Sequence, residues 1–314
     1  MIKAQFDYGF QPQLAEGDGS MHVSGKDEST ASGANFRADM SMTSSEKLDG
    51  TQDAIRAYAG TMDWKADVSG DMDGTHVSGG MDMQVKLAMS GATMVYVQLA
   101  SLKFRDIQAP LEVVAGIKTA ETFLAQYIGK WYSIDLIKFA SMDPKFSKDD
   151  LTKSLPLIKV MALQEVENGM SMLAPYFTVE KSGVPTKGGM YEYNISFTPE
   201  FFGMVTQTLA KLDGKMYNKY QVEEAIRMAK PYVALLVQGL QVRYEMNPKT
   251  WLLTLLNIRL EDTAFQIPED GAPKVHVSFD WNSVMDYPAT VSVDLPTSAT
   301  DLTNLVSGTV MNSL

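Results

Sequence analysis

The stretch Gly80-Met81-Asp82-Met83-Gln84-Val85-Lys86-Leu87-Ala88-Met89-Ser90 sets apolar odd positions, Met81, Met83, Val85, Leu87 and Met89, against mostly polar even ones. Successive side chains of a strand point to opposite faces, so this spacing predicts a strand with one oily and one wet face. Working outward, Phe36, Ala38, Met40 and Met42 repeat the alternation, and so do Met62, Trp64, Ala66 and Val68. Strand cores are ordinarily built from valine and isoleucine. Methionine is unbranched and polarizable, and it is favoured where a surface accepts variable apolar partners. Two readings stand side by side. Methionine is plain core filler, or a curved sheet holds a lipid or another greasy ligand on its concave face.

Composition narrows the function classes. The 314 residues are enough for one large domain or two ordinary ones. With 45% apolar and 21% charged residues, the chain reads as folded and not disordered. The net charge of −11 argues against nucleic acid as a partner, because tracking phosphates needs a basic stripe. It equally argues against adhesion to anionic membranes by charge alone. The absence of cysteine excludes thiol nucleophiles, disulfides and cysteine-ligated metals. Met1-Ile2-Lys3-Ala4-Gln5-Phe6 has no apolar run of the signal-peptide kind, and Val233–Val237 is far too short to span a bilayer.

Along the chain, character changes near residue 110. Residues 1–110 read as an antiparallel meander, with strands expected near 3–10, 20–27, 34–44, 53–70, 76–90 and 93–106. Residues 111–314 read as a mixed half completing the sheet of one large domain. There, helices are expected at 120–128, 147–169, 199–211, 222–237 and 298–307, the third opened by Thr198-Pro199-Glu200. Strands are expected at 130–135, 191–197, 240–246, 250–266, 273–283 and 289–295, with a hairpin turn at Met246-Asn247-Pro248-Lys249-Thr250.

The run Gly129-Lys130-Trp131-Tyr132-Ser133-Ile134-Asp135, preceded by a short helix, resembles a strand of the LolA/LolB-like and LppX-like bacterial lipoprotein superfamily. Tyr191–Phe197 followed by a helix, the stretch Gln241–Thr250, and Trp281–Tyr287 with Val291–Pro296 are similar to that group's later segments in order and spacing. The likeness covers residues 120–305; the lipobox cysteine of the lipoprotein members is missing. What the resemblance implies is an α+β, mainly antiparallel fold, a strongly curved open β half-barrel covered by helices on its concave face. It further implies lipid or acyl-chain binding in the hollow and an extracytoplasmic place in the cell envelope where membrane contact is possible. That no P-loop, Rossmann, zincin or deaminase motif is present points separately to a protein that is not an enzyme.

Other constellations carry less. All three histidines stand in His-Val-Ser: His22-Val23-Ser24, His76-Val77-Ser78 and His276-Val277-Ser278. In a strand the His and Ser share a face, which allows a His–Ser hydrogen bond or a metal site. The simpler reading is a solvent-facing pair beside a buried valine. No G-x-S-x-G nucleophile elbow is present. Gly17–Gly25 and Met72–Gly79 are alike enough to suggest a duplicated hairpin. Asp71-Met72-Asp73-Gly74-Thr75 is similar to the opening of a calcium loop, but the bidentate glutamate is missing and a β-turn with solvated aspartates is the simpler reading. Glu223-Glu224 and Asp149-Asp150 diverge as helix neighbours and suit first-turn charges.

The expected ligand-binding residues are Met40, Met42, Met62, Trp64, Met81, Met83, Leu87 and Met89 on the sheet, faced by Phe201 and Val205 from a helix. The expected partner is a lipid or other apolar small molecule, with no cofactor, metal or catalytic residue. The alternative is a surface structural or interaction domain whose hollow is filled by its own helices.

Overall fold

The computed structural model describes residues 11–26, 35–51, 55–72, 75–91, 93–140, 174–186, 188–198, 200, 236, 239–266 and 274–303. Five long strands open the chain: β1 (Gln13–Lys26), β2 (Asn35–Gly50), β3 (Ile55–Met72), β4 (Thr75–Ser90) and β5 (Met94–Gln108). They pair in sequence as antiparallel neighbours, the expected meander. Helix α1 (Leu111–Ala125) follows, then β6 (Trp131–Asp135) and a single-turn helix α2 (Leu136–Ala140). A 3₁₀ turn (Ala174–Tyr176) leads into β7 (Phe177–Lys181), and the remaining strands are β8 (Tyr191–Phe197), β9 (Leu240–Met246), β10 (Leu253–Gln266), β11 (Lys274–Asp286) and β12 (Thr300–Asp301).

All twelve strands form one sheet, in the order β12-β6-β5-β4-β3-β2-β1-β11-β10-β9-β8-β7. The join between the two halves is the antiparallel pairing of β1 with β11. Among the described strands, β12 against β6 is the one parallel pair. The sheet is open, with β12 at one end and β7 at the other.

Register carries the alternation of β4 across this sheet. One cross-strand row reads Val179, Ile195, Val242, Ile258, Trp281, Gly19, Met42, Trp64, Met83 and Leu102, running from β7 to β5. The row beside it reads Leu260, Phe279, Met21, Met40, Ala66, Met81 and Phe104. A slip of one residue would turn every one of these side chains to the other face, so the pattern specifies the register. Of the buried apolar side chains, Tyr244, Met246, Leu260 and Val275 lie on this face toward β9–β11, while Ala88 of β4 is buried on the other.

Several expectations are corrected. β1 begins at Gln13 and not near residue 20, because Gly17 and Gly19, legible as turn residues, lie under the indole of Trp281. The first helix spans Leu111–Ala125 where 120–128 was expected. Pro110 stands at its N-cap, and the turn after it closes at Gly129, whose φ is +77°. None of its side chains is fully buried, and Phe123 is 59% exposed. Residues 289–295 make no strand, and Thr300–Asp301 is a strand where a closing helix was expected. β7 and α2 were not foreseen. The expected strand 3–10 and helices 147–169, 199–211 and 222–237 lie outside the described residues, Glu200 and Leu236 apart.

Candidate functional site

Eight of the expected binding residues share one face. Met42, Trp64 and Met83 are consecutive in one row, and Met40 and Met81 flank Ala66 in the next. Met62 pairs Val85, Met89 pairs Tyr58, and Leu87 stands opposite Gly60. The eight occupy three adjacent strands, and none is fully buried; Met62 is 41% exposed. Phe201 and Val205 lie outside the described residues.

The same face holds residues the opening reading left out: Met21, Phe279, Trp281, Ile258, Val242 and Tyr244. Their signal was present, since Val275, Val277, Phe279 and Trp281 alternate with Lys274, His276, Ser278 and Asp280 just as β4 does. Trp281 can lie flat because its partner strand presents glycine. A Cβ on Gly17 would come within 2.6 Å of Trp281 Cζ2, and one on Gly19 within 2.5 Å of Cε3. At the β7 end the face becomes aromatic. Tyr193 and Tyr244 stack at 5.0 Å with planes 8° apart, and Lys181 Nζ sits 3.3 Å from the Tyr191 ring centroid. Desolvation pushes the Tyr244 hydroxyl up to about 12.

The opposite face is polar and carries a depression of about 750 Å³. Lys65 and Asp67 line it while Ala66 between them does not, which assigns it to the wet face. Its lining includes the short side chains Ser20, Ser41 and Ser278 beside the charged Lys65, Arg259, Asp280 and Asp262. Met21, Met40, Leu260 and Phe279 border it as well, although register places these four in the row assigned to the other face.

Each histidine on this face is held by an aspartate. His22 Nδ1 lies 2.7 Å from Asp39 Oδ1, His76 Nδ1 2.8 Å from Asp71 Oδ1, and His276 Nδ1 3.2 Å from both oxygens of Asp262. Asp71, the opening residue of the calcium-loop look-alike, thus serves as acceptor for His76. Arg37 grips Asp39 through Nε at 2.5 Å and Nη2 at 3.3 Å. That guanidinium, and after it His22, hold the Asp39 carboxyl below the usual carboxylate range. Among the described residues no three His, Asp or Glu side chains converge as a metal site. Nor is any described helix long and apolar enough to cross a membrane.

Comparison with protein-family models found no match, and comparison with curated proteins found none either. Among solved structures, the chain is similar to a crystal structure of a beta-barrel-like protein of domain of unknown function DUF1849 from Brucella abortus. The two share 8% identity over 90% of this chain and 99% of that chain, with a TM-score of 0.19. The class defined by the fold is a mainly antiparallel, open β-sheet protein with few described helices.

Proposed function

We propose that this protein binds a lipid or another apolar small molecule on the methionine-rich face of its sheet and carries it outside the cytoplasm. The observation that supports this reading is the apolar row from Val179 to Leu102, whose β2–β4 section remains partly open to solvent. A packed sheet core buries such residues fully, whereas a surface that exchanges an apolar guest keeps them reachable. Methionine suits that role because its flexible thioether fits guests of differing shape. Each methylene taken from water contributes about 0.8 kcal/mol, so a long acyl chain supplies roughly 10 kcal/mol gross before ordering costs. No charged contact is needed, which is consistent with the net charge of −11. The quoted likeness of residues 120–305 to the LolA/LppX group supports the same reading, along with a place in the cell envelope and transient membrane contact. Binding of this kind involves no chemistry on the ligand and no nucleic acid.

The test is native mass spectrometry of the purified protein, with organic extraction of whatever co-purifies. A lipid bound in stoichiometric amount and released only on unfolding is the expected result. Replacing Met83 and Met89 together by Asp should abolish uptake of a fluorescent fatty-acid probe while the far-ultraviolet dichroism keeps its β signature. A clean apo mass with no probe uptake overturns the carrier and favours a structural domain.

A further inference from the structure

The wet face holds an arrangement that the carrier reading does not use. Asp39 on β2 and His22 and Ser24 on β1 are linked in sequence by hydrogen bonds: Asp39 Oδ1 to His22 Nδ1 at 2.7 Å, then His22 Nε2 to Ser24 Oγ at 3.1 Å. A carboxylate, an imidazole and a hydroxyl in this order make up the nucleophile–base–orienter geometry of acyl transfer, which is recognised by roles and not by sequence position. We infer that Ser24 is an activated nucleophile for hydrolysis of small carboxylic esters, with His22 as general base and Asp39 as its positioning residue.

The surroundings of the three residues argue for this. Arg37 binds Asp39 at both oxygens, which keeps the carboxylate anionic and fixed. An anionic Asp39 can only accept, so Nδ1 carries a proton, and whenever the ring holds just that one, Nε2 offers its lone pair to the Ser24 hydroxyl. The tautomer follows from that network. The His22 side chain is 33% exposed, so the base is reachable from solvent. Register sets Ser24 directly between Arg37 on β2 and His276 on β11, the latter held by Asp262. A carbonyl attacked by Ser24 would develop its negative charge beside a guanidinium. The depression lined by His22 and Asp39 gives the rest of the substrate a place. Its lining mixes serine and charged side chains with Met21, Leu260 and Phe279 and begins one turn of the pleat from Ser24, at His22, which suits a small ester.

The chemistry closes with water alone. Ser24 Oγ forms a bond to the carbonyl carbon while its proton passes to His22 Nε2. The ester C–O bond then breaks, and the leaving alcohol takes that proton from Nε2. Water repeats the sequence on the acyl-serine, releasing the acid and restoring both side chains.

The experiment treats the whole chain with a fluorescent fluorophosphonate, maps the labelled peptide, and follows p-nitrophenyl acetate hydrolysis in parallel. The expected result is stoichiometric label on Ser24 and turnover that Ser24→Ala abolishes. Ser24→Ala removes one half-buried hydroxyl, so this control should keep the fold. His22→Gln should slow labelling by about 100-fold or more, the lower range of a general base's contribution. Asp39→Asn should slow it too, with Asp39→Glu restoring the rate, a rescue that a merely structural carboxylate would not produce. An unlabelled protein with intact β dichroism overturns the inference, as does label on another residue or a Ser24 rate unchanged in folded His22→Gln.

Discussion

At the scale of single residues, one of the tight fits in the described sheet is between Trp281 and two glycines of β1, Gly17 and Gly19. Gly17 and Gly19 leave a flat strip over which the indole lies, and either methyl would overlap a ring carbon at 2.6 or 2.5 Å. The ring must therefore tilt or slide, since main-chain atoms of β1 are locked in ladders to β2 and β11. Gly17→Ala and Gly19→Ala are each expected to cost about 1–3 kcal/mol, as overpacking does, although alanine is ordinarily the better strand residue. A lowered urea midpoint together with a changed near-ultraviolet tryptophan band checks this; an unchanged midpoint would mean that the indole sits elsewhere. The same detail marks where reading single residues stops. Trp281 was legible as apolar-face by alternation, but nothing local distinguishes a glycine that ends a strand from one that makes room for a ring on its neighbour. Asp39 is a similar case. His22 and Ser24 share a strand and were visible as a pair, whereas the aspartate that orients the ring arrives from β2 and becomes its partner only through register.

At the scale of elements, strands with unbroken alternation were legible nearly to their ends, as β3, β4 and β8 show. β12 was not, because two residues carry no period and its place depends on side-chain bonds made far away in sequence. Asp301 receives the main-chain N–H of Thr303 at 2.8 Å as well as the Thr303 hydroxyl, and Lys138 Nζ lies 3.2 Å from its other oxygen. The Thr303 hydroxyl oxygen in turn accepts the Asp135 N–H at 3.0 Å, and Leu302 donates to the Ser133 carbonyl at 2.9 Å. These bonds fasten β12 to β6 and α2. They also lower the Asp301 carboxyl from its ordinary 3.8 to about 2, the Thr303 hydroxyl being the largest cause. A carboxyl whose folded value is depressed adds stability that is fully present above its unfolded value and fades as pH falls through the folded one. Wild type should therefore be more stable than Asp301→Asn at pH 6, with the gap closing between about pH 4 and pH 2. Thermal melts of both proteins across that range decide the point, and a gap independent of pH would show that the carboxylate charge is not what holds β12.

At the scale of the whole molecule, the sheet has a strong middle and weak ends. Its central strands β1, β2, β3 and β4 run 14, 16, 18 and 16 residues and pair on both sides, whereas β7 has 5 residues and β12 only 2. The order of the meander was legible because sequential strands with short turns pair with each other. The closure of β1 onto β11 was not, since pairing across some 250 residues depends on the register of every strand between. One trace of it lay in the sequence unread: His22-Val23-Ser24 runs antiparallel to His276-Val277-Ser278, so that His22 faces Ser278 and Ser24 faces His276. Local opening free energies follow how fully a strand is paired and packed. Amide exchange should thus be slowest in β1–β4, faster in β8 and β9, and fastest in β7 and β12. The alternative architecture is a closed ring, in which β7 and β12 would find partners and lose their free edges. Hydrogen–deuterium exchange on the intact chain separates the two. Graded protection that falls away toward both ends fits the open sheet, while amides of β7 protected as well as those of β2 would mean that this edge is paired in solution.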